Sequence, residues 1–233
     1  YHQGTITKDG SKMSKSRANT VSPDEFIENY GSDTFRAYLM FMGPYDEGGD
    51  WNDHGINGIS RFIVKIWKFC QLDDSHQSSA EDIKIVHKTL QAVDNDLGLM
   101  KFNTAISRLM ECMNYFSNYD AIDSEIKKTI IKTMAPLIPH ISEELWEING
   151  GLESVFDQPY PSYNKALVVD DKVSIAIQVN GKLRGSIEVE KTINKEDLIA
   201  FAKTQENVNL HLQNKDIIKE IVVPERLVNF VVK

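Results

Sequence analysis

The sequence is poor in cysteine, with only Cys70 and Cys112 among 233 residues. Both fall within helical patterns and no Cys-x-x-Cys pair occurs, which excludes a disulfide framework and a redox motif. The six histidines have no metal-ligand spacing with each other or with the cysteines, so we predict no metal site. This cysteine usage fits a reducing compartment, and we expect a cytoplasmic protein.

The chain also lacks the marks of membrane and secreted proteins. No apolar run approaches the roughly 20 residues that span a bilayer, and no signal peptide opens the sequence. The chain starts at Tyr1 and not at Met, and residues 1–9 alternate loosely like the end of a strand. We therefore expect these residues to be a fragment of a longer protein.

A general excess of positive charge is missing as well, since the formal net charge is −8. The charge is uneven, with +3 on residues 1–20, +1 on residues 165–233 and −12 on residues 21–164. A bulk basic surface for nucleic acid is therefore excluded. The middle of the chain is acidic and its two ends are not.

The most informative stretch is Lys12-Met13-Ser14-Lys15-Ser16, which directly follows a polar turn at Lys8-Asp9-Gly10-Ser11. Two ammonium groups three residues apart, among small hydroxyl residues, suit a mobile loop that folds over a polyphosphate. Lysine is a compact charge on a long stem and binds phosphate oxygens without demanding one fixed geometry. The alternative is a solvated surface loop, because short motifs also occur by chance.

Helical periodicity dominates the next part of the chain. Ser22-Pro23 predicts a helix start, with Glu25 completing a capping box, and residues 48–51 predict a loop. Five apolar stripes, one of which begins at Ile83, then predict five helices within residues 55–150. We expect these helices to form an antiparallel bundle with their Met and aromatic side chains as core.

The period changes to two near the C-terminus. Residues 151–168 are rich in Gly, Pro and polar residues and predict a linker. Asn180-Gly181 is typical of a type I′ hairpin turn between two strands. Residues 169–233 therefore predict a small ββαββ module, with Val208–Leu212 as a candidate second helix. The predicted fold class is multidomain α plus α+β, with the lysine loop and short helices in residues 1–54.

Several motifs together resemble one family. The lysine motif is identical to the KMSKS signature of class I aminoacyl-tRNA synthetases, and the chain resembles the bacterial leucyl-tRNA synthetases over essentially its whole length. The resemblance is carried by residues 12–19, 21–23, 30–36, 40–44, 51, 61–62, 67, 135–146, 179–184, 223–224 and 227–232. Isoleucyl relatives usually end in a zinc-binding tail and valyl relatives in a coiled coil, and neither pattern is present. Two departures are Ala18 and Glu225, where the family commonly has Gly.

The resemblance implies a parent enzyme that activates leucine as leucyl-adenylate with ATP and Mg²⁺ and transfers it to tRNA(Leu), acting as a monomer. The KMSKS loop resembles a lid that closes on the pyrophosphate end of ATP. The helices resemble an anticodon-binding bundle, and the small module resembles a tRNA-binding tail. The other class I signature, His-x-Gly-His (HIGH), is absent from these residues, so we expect no activity from them alone.

The candidate site residues form two groups. We predict Lys15 as the main catalytic contact to the departing pyrophosphate and Lys12 as a second one. Ser14 and Ser16 complete the ATP-binding set as loop-shaping residues or secondary hydrogen-bond donors. The predicted tRNA contacts are Lys182 and Arg184 beside the hairpin turn, and Arg61 and Lys65 on one helix, with ordinary solvated side chains as the alternative. For His140 we predict packing or a hydrogen bond at a helix start.

Two other interpretations stay open. In the first, the chain is a non-catalytic tRNA-binding module and the lysine loop is an inherited remnant. In the second, the parent is a class I synthetase for valine, isoleucine or methionine, since these residues hold no amino acid pocket.

Overall fold

The computed structural model describes residues 2–169, 172–213 and 215–233. Tyr1, in the predicted first strand, and Asp170, Asp171 and Asn214, in the predicted C-terminal module, lie outside the described residues. The chain divides into two compact units, Tyr1–Val168 and Val169–Lys233, and each combines helices with a small sheet. Among the described helices, none has both the length and the apolar character that crossing a membrane requires.

The first unit contains a three-stranded sheet made of β1 (Thr5–Lys8), β2 (Ser11–Lys12) and β3 (Gly48–Trp51). β2 pairs with β1 in the antiparallel sense and β3 pairs with it in parallel. The prediction of a loop at residues 48–51 is therefore wrong. Glycine disfavours strands, but Gly48 has a φ of 85°, and a Cβ added there would lie 2.3 Å from the Thr5 carbonyl oxygen. Only glycine allows the two backbones this approach.

Two short helices, α1 (Pro23–Tyr30) and α2 (Ser32–Phe41), lie between β2 and β3 in the chain. Pro23 takes the first helical position as predicted, where its missing N–H costs nothing. The predicted capping box is wrong, because Ser22 makes no side-chain cap bond. Its hydroxyl donates instead to Asp24 Oδ2 at 3.3 Å, so a nearby carboxylate has outcompeted the backbone.

Five further helices complete the first unit: α3 (Ile56–Cys70), α4 (Ala80–Gly98), α5 (Phe102–Tyr115), α6 (Ser124–Met134) and α7 (Pro139–Ile148). Their apolar faces bury Ile59, Val93, Leu109 and Ile130 in one core. Ile83 was predicted to lie in the core stripe of α4, but it is 38% exposed. It lies in the first turn, where the buried residue is the polar Asp82 instead.

A buried carboxylate fixes the start of α4. Asp82 forms a capping box with Ser79, and its Oδ1 accepts the hydroxyls of Tyr115 at 3.0 Å and Tyr119 at 2.7 Å. His76 Nε2 lies 3.1 Å from the other oxygen. Burial pushes the pKa of Asp82 upward, but the bonds from His76, Ser79 and Tyr119 outweigh it and hold the pKa well below its usual range. A buried charge that is fully bonded in this way holds helix ends together.

The segment predicted as a linker packs against the first unit at its beginning. Val155 is buried in the core, and its N–H and the Ser154 hydroxyl both donate to Glu143 Oε2 at 3.0 Å. The Trp146 indole N–H donates to the Glu153 carbonyl at 2.8 Å. These bonds tie the chain after α7 back onto α7 itself.

The second unit is a four-stranded sheet with two helices. Its strands are β4 (Lys172–Val179), β5 (Lys182–Glu190), β6 (Ile217–Val223) and β7 (Leu227–Val232), in the order β5-β4-β7-β6. The helices are α8 (Lys195–Thr204) and α9 (Glu206–Leu212), so the candidate second helix is present and the order is ββααββ. Alternate strand residues such as Ile177 and Phe230 pack with Leu198 and Val208 in a separate core.

Candidate active-site loop and nucleic-acid interface

The lysine motif begins on the second strand of a hairpin with a two-residue turn. Asp9 and Gly10 have φ values of 53° and 69° and connect β1 to β2. Lys12 is the last residue of β2, and Lys15 opens a 3₁₀ turn over Lys15–Arg17. Both lysine side chains are exposed, and among the described residues neither ammonium group has a hydrogen bond or an ion pair. Two unpaired cations are thus presented from one loop.

The loop is shaped by its own polar side chains. The Asn19 side chain accepts the Ser14 N–H at 2.8 Å and donates to the Lys12 carbonyl at 3.3 Å, which closes the loop around the motif. The hydroxyls of Ser14 and Ser16 lie 2.7 Å apart and bond to each other. Ala18 ends the 3₁₀ turn with a φ of 53°, in the left-handed region that favours glycine.

Asp50 anchors the hairpin to β3. Its Oδ1 accepts the Thr7 hydroxyl at 2.6 Å and the Gly10 N–H at 2.9 Å. These two bonds, from Thr7 first and Gly10 second, lower the pKa of Asp50 from its ordinary value. The sequence prediction missed this residue, because the acceptor lies forty residues beyond the turn it holds and no local pattern joins them.

Two of the family-like motifs meet at the start of α7. Asp33, at the start of α2, is buried and accepts the Ile141 N–H at 2.7 Å. Its other oxygen lies 2.8 Å from His140 Nδ1. Arg36, one turn further along α2, donates to the Pro136 carbonyl at 3.2 Å. The predicted helix-start hydrogen bond of His140 is confirmed, and its partner is a carboxylate that caps α7 from a distant helix.

The two predicted RNA-contact residues of α3 differ in their surroundings. Arg61 is exposed, and its Nε donates to the Asn57 carbonyl of the same helix at 3.3 Å, which leaves the rest of its guanidinium outward. Lys65 is half-buried and donates to Asn114 Oδ1 of α5 at 2.6 Å. Arg61 is therefore more accessible to an anionic partner than Lys65.

In the second unit, the other predicted basic pair lies at a rigid hairpin. Asn180 and Gly181 have φ values of 49° and 78°, as a type I′ turn requires. The Asn180 side chain donates to the Val232 carbonyl at 3.1 Å and accepts the Val232 N–H at 2.9 Å. The Gly181 N–H donates to Asn229 Oδ1 at 3.1 Å. Lys182 follows this turn and is exposed.

Arg184 occupies an irregularity in the ladder. Gln178 pairs with Leu183 and Ile177 pairs with Gly185, so Arg184 is the extra residue of a β-bulge. Its Nε is buried and has no hydrogen-bond partner within the described part of the chain. Because Nε is buried, an anion could reach Arg184 only through the terminal nitrogens of its half-buried guanidinium.

The predicted residues thus fall into separate groups. The four loop residues lie together and the two α3 residues share one helix, all in the first unit, whereas the hairpin pair belongs to the second unit. Across residues 2–169, 172–213 and 215–233, no group of three or more His, Cys, Asp and Glu side chains could hold a metal ion.

Two family models match the sequence. Residues 83–199 match the anticodon-binding domain of tRNA ligase, which is half of the chain. Residues 1–52 match the class I tRNA synthetases for isoleucine, leucine, methionine and valine. The second match contains the lysine hairpin and its Asp50 anchor.

Individual relatives agree with these matches. The chain is 41% identical, over 242 aligned residues, to a leucine–tRNA ligase from Chlorobium chlorochromatii (strain CaD3), and it covers 30% of that protein. It is also similar to a crystal structure described as the ternary complex of Agrobacterium radiobacter K84 agnB2 LeuRS with tRNA and LeuAMS. That likeness has a TM-score of 0.75 and 26% identity, and it covers all of this chain and 32% of that one. The chain therefore spans about a third of the length of these relatives.

Proposed function

Because the chain belongs to the class I tRNA ligases with this anticodon-binding domain, and is a homologue of leucine–tRNA ligase, we propose that it is the tRNA-binding part, with the KMSKS loop, of an ATP-dependent leucine–tRNA ligase. One observation carries the proposal: the loop presents the unpaired ammonium groups of Lys12 and Lys15, and Asp50 of β3 holds its hairpin. The HIGH signature is absent from these residues, so the complete reaction needs groups that they do not supply.

The proposed chemistry is attack of the leucine carboxylate on the α-phosphorus of ATP, with pyrophosphate as the leaving group. Negative charge grows on the pyrophosphate oxygens in the transition state, and cations that meet it there raise the rate. Lys15, at the start of the 3₁₀ turn, is the main contact and Lys12 the second. Ser14 and Ser16 bond to each other, which supports a loop-shaping role.

Magnesium would accompany ATP in the complete enzyme and neutralise its phosphates. The donors of the loop are ammonium and hydroxyl groups, and Mg²⁺ prefers carboxylate, phosphate and water oxygens. The loop residues therefore fit the polyphosphate and not the cation. The part of the chain described here contributes positive charge to the ATP site and is not proposed to ligate the metal.

We propose that each unit supplies its own RNA contacts. Residues 55–150 would serve as the anticodon-type bundle with Arg61 as an outer contact and Lys65 as a weaker one. Residues 169–233 would serve as a tRNA-binding module through Lys182 and Arg184, with residues 151–168 joining the two parts and residues 1–54 belonging to the catalytic side. The family match at residues 83–199 and the tRNA present in the related complex support this assignment. We propose a cytoplasmic monomer.

Substitution of one lysine tests the catalytic proposal. In the full-length parent, Lys15→Ala should slow leucine-dependent pyrophosphate exchange roughly a hundredfold, about 3 kcal/mol, as for other groups that meet transition-state charge. Lys68→Ala, an exposed lysine on α3, is the control and should leave exchange unchanged. An unaltered exchange rate in Lys15→Ala would remove the catalytic assignment of the loop.

The amino acid specificity of the parent enzyme is tested by measuring which amino acid it attaches to tRNA. The full-length protein is expected to charge tRNA with leucine and to give no comparable product with valine, isoleucine or methionine. Charging with any of those three in place of leucine would reassign the parent to another synthetase of the same class.

A further inference from the structure

The hairpin that carries the lysines has little to hold it by itself. β2 contains two residues, and its pairing with β1 consists of Thr7 opposite Lys12 and Lys8 opposite Ser11. A two-stranded hairpin of ordinary length is already marginal in water. A ladder this short therefore needs support from elsewhere to keep one orientation.

The β1–β3 ladder and an ion pair between Lys8 and Asp53 at 3.7 Å hold the first strand, and Asp50 supplies the support that reaches the turn. Both of its bonds converge on one carboxylate oxygen, from the side chain of Thr7 in β1 and from the backbone of Gly10 in the turn. The first bond fixes the strand and the second fixes the turn. Together they set the direction of β2, and with it the position of Lys12, relative to β3.

The other side of Asp50 is fixed to the helical core. The next residue, Trp51, is buried and lies edge-on to Phe26 at 4.8 Å and to Tyr38 at 5.1 Å between ring centroids. The Tyr38 hydroxyl then donates to the Asn52 carbonyl at 2.8 Å. Asp50 is thus an exposed residue of a well-anchored strand, and the lysine hairpin is attached to its side chain.

We propose that Asp50 is a positioning residue for the KMSKS loop: it latches the hairpin to β3 and so sets where the Lys12 and Lys15 ammonium groups meet the polyphosphate. This inference rests on the proposed function of the loop. Asp50 contacts the hairpin and is not proposed to touch ATP.

A graded series of variants in the full-length enzyme tests the latch. Asp50→Ala removes the acceptor, Asp50→Asn keeps an acceptor oxygen without the charge, and Thr7→Val removes one donor. We expect kcat/KM for ATP in pyrophosphate exchange to fall about tenfold in Asp50→Ala, as the loss of two ordinary hydrogen bonds allows, and less in the other two. Asp46→Asn, an exposed carboxylate on the segment that leads into β3, is the matched control and should behave as wild type.

Hydrogen exchange on the 233-residue chain separates positioning from a general loss of structure. Asp50→Ala should speed amide exchange within residues 10–19 while leaving α3–α7 as protected as in Asp46→Asn. Equal exchange in the two variants, or a kcat/KM for ATP in Asp50→Ala that equals the control, would overturn the latch. If pyrophosphate exchange falls steeply in Lys15→Ala and not at all in Asp50→Ala, this inference alone is overturned. If exchange does not fall in Lys15→Ala, the proposed function and the role of the latch in it are both overturned.

Discussion

Two hairpins, one in each unit, share a construction and differ in how they are tied. Each has a two-residue turn with positive φ, Asp9-Gly10 and Asn180-Gly181, and each is followed by exposed lysine. In each, the first strand pairs in parallel with a later strand. The glycine N–H then donates to a side chain of that later strand, to Asp50 in one case and to Asn229 in the other.

The difference lies in the charge of the ties. The first hairpin is tied to two exposed carboxylates, to Asp50 by hydrogen bonds and to Asp53 by an ion pair with Lys8 at 3.7 Å, whereas the second is held by the neutral amide side chains of Asn229 and Asn180. A loop that must close over a ligand and reopen benefits from weak, solvent-exposed ties at its base. A surface that binds a preformed RNA shape benefits from a fixed turn. The ties therefore match the two roles proposed for the hairpins.

The largest effect should come from neutralising the basic pair of the second hairpin and measuring tRNA binding and pyrophosphate exchange separately. Lys182→Ala combined with Arg184→Ala should weaken tRNA binding and reduce the slope of log K against log salt by about 1.5, because two phosphate contacts are lost. Pyrophosphate exchange should be unchanged, in contrast to Lys15→Ala. Lys191→Ala with Lys195→Ala removes the same charge from exposed sites of the same unit and is the control, measured by salt-dependent filter binding. An unaltered slope in the first pair would remove the second hairpin from the RNA surface.

Alanine substitution in the two turns should cost different amounts of unfolding free energy. Asn180→Ala loses two hydrogen bonds and the tolerance of asparagine for positive φ, so we expect a loss of about 2 kcal/mol in the unfolding free energy of the second unit. Asp9→Ala loses the conformational preference alone and should cost about 1 kcal/mol. Urea denaturation followed by hydrogen exchange of each sheet measures both. Asn180→Gly, which keeps the conformation and loses the bonds, separates the two causes, and equal losses in the alanine variants would contradict the comparison.

One residue with positive φ in each unit offers a way to stabilise the protein by substitution with glycine. Ala18 and Glu225 have φ values of 53° and 55°, in a region that is unfavourable for side chains with a Cβ. Ala18→Gly and Glu225→Gly should each stabilise the protein by about 0.5 kcal/mol, since the relief exceeds the extra entropy of glycine in the unfolded chain. Ala166→Gly, at a position without positive φ, should destabilise instead. Melting temperatures that fall in all three variants would show that neither backbone is strained.

The smallest effect is a pH dependence confined to one hairpin. The pKa of Asp50 is lowered by its bonds from Thr7 and Gly10, so the tie is complete above the ordinary value of 3.8 and is lost as the pH falls through the lower folded value. The Gly10 amide resonance should therefore shift below pH 3.8, while the Gly181 amide, tied to a neutral side chain, should not. Asp50→Asn should abolish the shift, and a parallel shift of both glycines would argue against the carboxylate as its source.

Local patterns were sufficient to predict some of the elements that carry the candidate site residues. Asn180-Gly181 specified its turn because few residues adopt positive φ, and the apolar spacing from Ile56 to Cys70 specified α3. The same local reasoning misjudged β3, where two glycines argue against a strand. There the decisive fact is the close approach of Gly48 to Thr5, which only glycine allows and which depends on a strand more than forty residues away.

The anchors of the site could not be predicted, because each joins residues that no periodic pattern relates. Asp33 and Ile141 are 108 residues apart, and nothing near either one signals a shared hydrogen bond. Asp82 resembles an ordinary first-turn acid until Tyr115 and Tyr119 surround it. Such pairings are specified by the tertiary arrangement of helices, which the sequence determines only through the whole chain.

The bond between Asn180 and Val232 spans 52 residues, and it joins the turn to the last of the described strands. During synthesis, β4 and β5 can pair as soon as both have left the ribosome, but Asn180 gains its partner Val232 only after α8, α9 and β6 have also emerged. Contacts of such long sequence separation form late because the intervening chain must first be closed. A ribosome that pauses before Leu227 would therefore hold a half-sheet whose β4 edge is open to another nascent chain.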